Sequence, residues 1–186
     1  MKKGMIISVL IFCGVCTVQT LWGKEDLQGY ISDLKSKEVA IRRKAARELR
    51  NYSSKEAVRA LIKALKDRNF MVRANACESL GRIRDKGATR PLVKTLLKDK
   101  NSEVRMNAAI AIGYIRDEEA IKGLLKSLRK DKTPGVRISV ATILGNLRDH
   151  SAITGLVKAL LEDGNEGVRV SAAQALGKLH ARESAA

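Results

Sequence analysis

The sequence predicts an all-α fold, an α-solenoid of about five two-helix repeats preceded by an N-terminal signal segment. Three observations predict it. Five stretches of the 186-residue chain align end to end at a spacing of 31 or 32 residues. Within each stretch the apolar residues return at helical intervals. The composition, 45% hydrophobic and 30% charged with 14 Gly and 2 Pro, suits a folded soluble body. It excludes a multi-span membrane protein, a disordered tail and a collagen-like chain.

Residues 1–23 form the first element and differ from all that follows. Lys2 and Lys3 precede an apolar run from Met5 to Val18, and no further charge occurs before Lys24. A short basic stretch followed by an apolar one is the pattern of a secretory signal. The run is shorter than the ~20 apolar residues that span a bilayer, although the uncharged stretch through Gly23 would nearly reach. The expectation is therefore export to the periplasm or the exterior, with the segment either cleaved, after Thr20 or Gly23, or kept as an anchor. Lipid attachment at Cys13 or Cys16 is disfavoured by the bulky Phe12 and Val15 before them. Because the segment carries only Lys2 and Lys3 of the 36 cations that give a net charge of +16, the basic character belongs to the body of the protein.

The repeat domain is expected over residues 24–183, divided as 26–56, 57–87, 88–119, 120–151 and 152–183, with 184–186 as a tail. The second halves read IRRKAAREL, VRANACESLG, VRMNAAIAIG, VRISVATILG and VRVSAAQALG. Ile41, Val72, Val104, Val136 and Val168 form one column, each followed by an arginine: Arg42, Arg73, Arg105, Arg137 and Arg169. Five matches in register establish a repeat array. In the second repeat Val58, Leu61, Ile62 and Leu65 mark one face of a first helix, and Val72, Ala76, Leu80 and Ile83 mark one face of a second. Neither helix can bury its stripe alone, so the pairs must stack around a continuous core. The glycine column Gly81, Gly113, Gly145 and Gly177 costs ~1 kcal/mol per residue relative to Ala in a helix, and the reason expected for it is close approach by the helix of the next repeat.

On these residues the chain resembles the HEAT-repeat family, in its short HEAT-like form found in cyanobacterial phycobilin lyases. The resemblance spans residues 26–183. It implies a structural charge ladder between layers, made by the turn aspartate and the arginine six residues later: Asp67 with Arg73, Asp99 with Arg105, Asp131 with Arg137, and Asp163 with Arg169. The first repeat departs from the motif, with Ser36 in the aspartate column and Arg50 in the glycine column. It reads as an N-terminal cap.

No catalytic residue, cofactor site or metal site is expected, and so no enzyme. The two histidines, His150 and His180, have no second ligand at metal spacing. Deoxyhypusine hydroxylase, another HEAT-like enzyme, holds iron through His-Glu pairs, and this sequence contains no His-Glu dipeptide. Lyase activity is disfavoured by the signal segment, since phycobilin lyases act in the cytoplasm. Cys77 is a lone cysteine in a column of small apolar residues and is expected to be buried.

What remains is surface. The resemblance implies that second helices line the concave side, where partners bind, and first helices the convex side. On the concave side the expected partner-binding residues are Asn75, Arg82, Asn107, Ile110, Tyr114 and Asn146, a mixed ridge dominated by neutral amides and hydroxyls. Ile110 and Tyr114 supply its apolar and aromatic anchors. The convex side repeats cations at Arg59 and Lys63, Arg90 and Lys94, Lys122 and Lys126, and Lys158, joined near the turns by Arg84, Arg116 and Arg148. Such a ladder suits an anionic envelope surface. The reading is thus an exported binding scaffold for a protein or peptide partner, with an anionic envelope surface as the alternative and nucleic acid ranked lower. The fifth repeat is as apolar as the internal ones, which marks a contact with a partner or with a second copy in a homodimer.

Overall fold

A polar cap or a proline opens several of the helices. The computed structural model describes residues 27–180, so the signal segment expected at 1–23 and the tail expected at 184–186 lie outside the described residues. These contain ten helices and no strand. The first helices of the five repeats are α1 (27–33), α3 (Lys55–Ala64), α5 (Thr89–Lys98), α7 (Ile121–Lys130) and α9 (Ile153–Glu162). The second helices are α2 (Val39–Glu48), α4 (Phe70–Ile83), α6 (Ser102–Ile115), α8 (Pro134–Leu147) and α10 (Glu166–His180). Ser54 caps α3 by accepting the Ala57 amide, Asn69 caps α4 through Met71, and Asn101 caps α6 through Glu103 and Val104. Pro134 opens α8, where its missing N–H costs nothing.

Packing follows the apolar columns. Leu61, Val72, Ala76, Leu80, Leu92, Val104, Leu124, Leu144 and Val168 are completely or almost completely buried, and one continuous core runs from Leu27 to Leu179. Each buried Leu contributes about 1.5–3 kcal/mol relative to exposure. Cys77 lies in this core, and burial pushes its thiol pKa well above the ordinary value. Successive second helices pack far more intimately than successive first helices, so the stack curves with its second helices on the inner, concave side.

The glycine column explains part of that intimacy. A Cβ on Gly81 would stand 2.8 Å from the Cα of Ala111, and one on Gly145 would stand 2.7 Å from the Cα of Ala175. At Gly113 the neighbour is the side chain of Ile143, at 3.2 Å. Gly177 has nothing within 4 Å, because no described helix stacks beyond α10. The expected close approach therefore applies to three of the four glycines. The first helices have a second, shorter set: a Cβ on Gly123 would run into Val93, and one on Gly155 into Leu125.

The charge ladder joins layers by crossing from one repeat to the next. Arg73 Nε and Nη2 donate to Asp99 Oδ2 and Oδ1 at 2.7 and 2.9 Å, while Nη1 donates to the carbonyl of Asp67, in its own turn, at 2.8 Å. Arg105 repeats this with the Asp131 carboxylate and the Asp99 carbonyl, and Arg137 with the Asp163 carboxylate and the Asp131 carbonyl. Arg42 extends the series to Asp67, although its own turn carries Ser36. Among the described residues Arg169 keeps only the inner half, donating to the Asp163 carbonyl at 2.9 Å. Each aspartate also holds its turn by accepting a backbone amide, as Asp99 does from Asn101 at 2.9 Å. Burial pulls the Asp67 and Asp99 pKa values upward, but the arginine and amide hydrogen bonds outweigh it and leave both below the ordinary carboxylate range. At Asp163 the Arg137 hydrogen bond is the leading cause of a shift in the same direction.

One backbone feature is unexpected. Arg84, Arg116 and Arg148 end α4, α6 and α8 in the left-handed region, with φ of 59°, 56° and 56°. The Arg84 amide closes its helix by donating to the Leu80 carbonyl, and Arg116 does the same to Ile112, both at 3.0 Å. This position normally takes Gly or Asn, and an L-residue with a full side chain costs about 1–2 kcal/mol there. Asp85, Asp117 and Asp149 follow and cap the single 3-10 turns that lead into the next repeat.

Candidate functional site

The concave face of the middle layers presents an apolar pair between two open clefts. Ile110 and Tyr114 lie one helical turn apart on α6, 39% and 51% exposed. Tyr114 is the only exposed aromatic residue among the described residues. Its ring lies beside Gly81, whose missing Cβ would be 3.4 Å from Tyr114 Cδ2. The glycine that lets α6 approach α4 thus also seats the tyrosine. Two clefts meet at this pair: one of about 800 Å³ between α4 and α6, and one of about 810 Å³ between α6 and α8. Both are open and share Ile110 and Tyr114 as a common wall.

The other concave residues named from the sequence have varied surroundings. Arg82 lies in the first cleft and donates to Glu78, which also faces Arg50 at 3.7 Å. Asn146 lies in the second cleft and accepts from Lys178 Nζ at 2.8 Å. Asn75 and Asn107 are half-buried. The Asn75 amide donates to the Arg43 carbonyl at 3.1 Å, so it ties α4 to α2.

The structure corrects the placement of three arginines. Arg84, Arg116 and Arg148, read from the sequence as joining the convex cations near the turns, line the concave clefts. The physical reason is the positive φ, which reverses the chain at the end of each second helix and turns the arginine back toward the concave face. The concave surface is accordingly basic: Arg50, Arg82, Arg84, Arg116, Arg148 and Lys178 line the two clefts against the single carboxylate of Glu78. The recurrent I/L-R-D tripeptides at 83–85, 115–117 and 147–149 were the available signal. What they could not reveal is the left-handed backbone that decides which face the arginine serves.

On the convex side Arg59, Lys63, Arg90, Lys94, Lys122, Lys126 and Lys158 are all exposed. The ladder is partly neutralised, since Arg90 Nε donates to Glu119 at 2.6 Å and Lys158 lies 3.5 Å from Glu162. Shallow clefts of about 500 Å³ and 470 Å³ open between α7 and α9 and between α1 and α3, where first helices are splayed apart. Among the described residues no group of three or more His, Cys, Asp and Glu is placed to hold a metal ion, and no helix is long and apolar enough to cross a membrane.

Comparison with known proteins agrees with this architecture. A family model described as HEAT repeats matches residues 28–97 and 89–177. Among solved structures the chain is similar to the complex of CpcE and CpcF of phycocyanin lyase from Nostoc sp. PCC7120, with 23% identity and a TM-score of 0.68, over 96% of this chain and 69% of that one. It is also similar to two engineered proteins. One is 26% identical with a TM-score of 0.59, over 83% of this chain and 79% of that chain. The other is 25% identical with a TM-score of 0.57, over 87% and 49%. Comparison with curated proteins yields no match.

Proposed function

The chain belongs to the HEAT-repeat family, and from that premise we propose that it is an exported, non-enzymatic scaffold that binds a protein or peptide partner on its concave surface. The observation that carries this reading is the pair Ile110 and Tyr114, held exposed where two clefts meet. An aromatic and an aliphatic side chain presented on rigid helices are typical anchors for a partner, because they lose little entropy when covered. The similar Nostoc structure is itself a complex of two protein chains, which supports protein recognition as a use of this fold. Export is supported by Lys2 and Lys3 followed by the apolar run Met5 to Val18.

The test is site-specific photo-crosslinking in the source cells. A photo-reactive residue is placed at concave Thr142 and, separately, at convex Lys126. The reading expects one protein adduct from position 142 that disappears when Ile110→Ala and Tyr114→Ala are added. Adducts of equal yield from both positions, or none from position 142, would overturn it.

A second reading, contact between two copies through the fifth layer, is favoured by its uncovered columns. Leu125 packs on Gly155, Ile138 on Gly167, and Gly145 on Ala175. One repeat later the same columns hold Val157, Val170 and Gly177, all exposed, with Leu161 beside them 74% exposed. These side chains have the interior pattern and no described neighbour to cover them.

A further inference from the structure

We propose that the concave groove recognises an extended acidic protein segment with one apolar side chain among its carboxylates. This rests on the reading of the concave face as the partner surface and specifies the chemistry of what it holds. Three observations carry it together. First, Arg84, Arg116 and Arg148 line the clefts on either side of Tyr114, one per repeat. Second, among the described residues none of the three has a carboxylate within ion-pair distance; Arg116 Nη2 donates only to a neutral group, the Asn146 carbonyl, at 3.4 Å. This contrasts with the arginines of the interlayer ladder, each of which but Arg169 is matched to an aspartate. Third, each sits in a left-handed conformation that disfavours its own side chain and would suit Gly or Asn better. Backbone strain of this kind repeated in one column points to a use for the side chain beyond folding.

The geometry of a solenoid then sets the register of the ligand. Successive second helices are about 8–10 Å apart, and an extended chain advances about 3.3 Å per residue. A segment running along the groove therefore meets one arginine at about every third residue. Between these contacts an apolar side chain reaches the wall formed by Ile110 and Tyr114. Single-stranded nucleic acid fits less well, because it is held by stacking successive bases on several aromatic rings, and the groove offers one.

Fluorescence anisotropy with defined probes tests this on the full chain. The probes are a short labelled peptide with Asp at every third position and a central Leu, the same peptide with Asn for Asp, and a labelled single-stranded oligonucleotide. The Asp peptide is expected to bind about tenfold or more tightly than the Asn peptide, and to weaken steeply as salt rises. The variant Arg84→Asn, Arg116→Asn, Arg148→Asn keeps residues that tolerate the left-handed turn. It is expected to lose about tenfold or more in affinity for the Asp peptide while melting no lower than the wild type. If that variant melts lower, Arg116→Gln alone serves instead, with a smaller loss expected. Equal binding of the two peptides, unchanged affinity in the arginine variants, or tighter binding of the oligonucleotide than of the Asp peptide would each overturn the proposal. A crosslinked partner at position 142 whose binding ignores the arginine variants overturns the acidic segment and leaves the concave reading standing. Absence of that crosslink removes the concave reading itself.

Discussion

Arg73 bridges two repeats: its guanidinium grips the side chain of Asp99 in the next turn and the backbone carbonyl of Asp67 in its own. Both side chains of the Arg73–Asp99 pair are more than nine-tenths buried, at 7% and 8% exposure. Removing one partner leaves a charge inside the protein without compensation, so Asp99→Ala is expected to cost about 3–5 kcal/mol in urea unfolding. Arg169→Ala should cost much less, because Arg169 reaches no further turn. Equal losses would show that the cross-repeat bond contributes little.

The same carboxylates set the acid limit of the fold. Asp67, Asp99 and Asp163 have folded pKa values below the ordinary 3.8. A depressed pKa means that the unfolded chain binds protons more readily, so this stabilisation is present above the ordinary value and is lost as the pH falls through the lowered folded values. Asp99→Asn should therefore melt below the wild type at neutral pH, and the gap should narrow as the pH drops below 3.8. A gap that stays constant down to the lowest pH would contradict the assignment.

The glycine column offers a pair of substitutions with opposite signs. Gly145→Ala drives a methyl group against the Ala175 backbone and should destabilise by about 1–3 kcal/mol. Gly177→Ala meets open space and should stabilise α10 by about 0.5–1 kcal/mol, the intrinsic helical preference of Ala. Thermal melts of the two variants moving in the same direction would remove close packing as the reason for the column.

Core and groove separate in a second pair. Leu80 is fully buried, so Leu80→Ala should cost about 2–5 kcal/mol through the cavity it leaves. The double variant Ile110→Ala, Tyr114→Ala should change the melting temperature little and weaken partner binding, because both side chains stand in solvent. Loss of its thermal transition would place these residues in the core.

Convex charge is tested by replacing Lys63, Lys94, Lys126 and Lys158 with Gln. Stability should hardly change, since exposed ion pairs such as Lys158–Glu162 are worth about 0–1 kcal/mol. If the convex face serves an anionic envelope surface, salt-sensitive retention on anionic lipid vesicles disappears with it. Equal retention of both proteins reduces the ladder to a solvated face.

The fifth layer makes a prediction about assembly. Leu161 is exposed, whereas Leu160 packs against the core. Sedimentation over a wide concentration range is expected to show self-association that Leu161→Glu abolishes without lowering the melting temperature. A wild-type chain that remains monomeric throughout excludes the homodimer.

The repeat period, the pairing of helices, the buried columns and the family were all legible in the sequence. Each is carried by side-chain spacing within one repeat, and the array writes that spacing several times over. Val72, Ala76 and Leu80 share the one apolar face that their spacing gives α4, and stacked neighbours bury it. Relations between repeats were decided by the tertiary structure. The motif places Asp67 and Arg73 six residues apart, but the distance between layers sends the guanidinium to the Asp99 carboxylate. Gly177 shares its column with Gly145 yet lacks the helix that would need its missing side chain. Arg84, Arg116 and Arg148 look like surface cations near a turn, and only the left-handed φ at each helix end brings them onto the concave face beside Tyr114. A side chain's local pattern determines which face of its helix it takes, and Val157 and Val170 show that burial needs a neighbouring repeat as well. Which surface it serves depends on backbone angles and on the stacking of neighbours that lie a full repeat away in sequence.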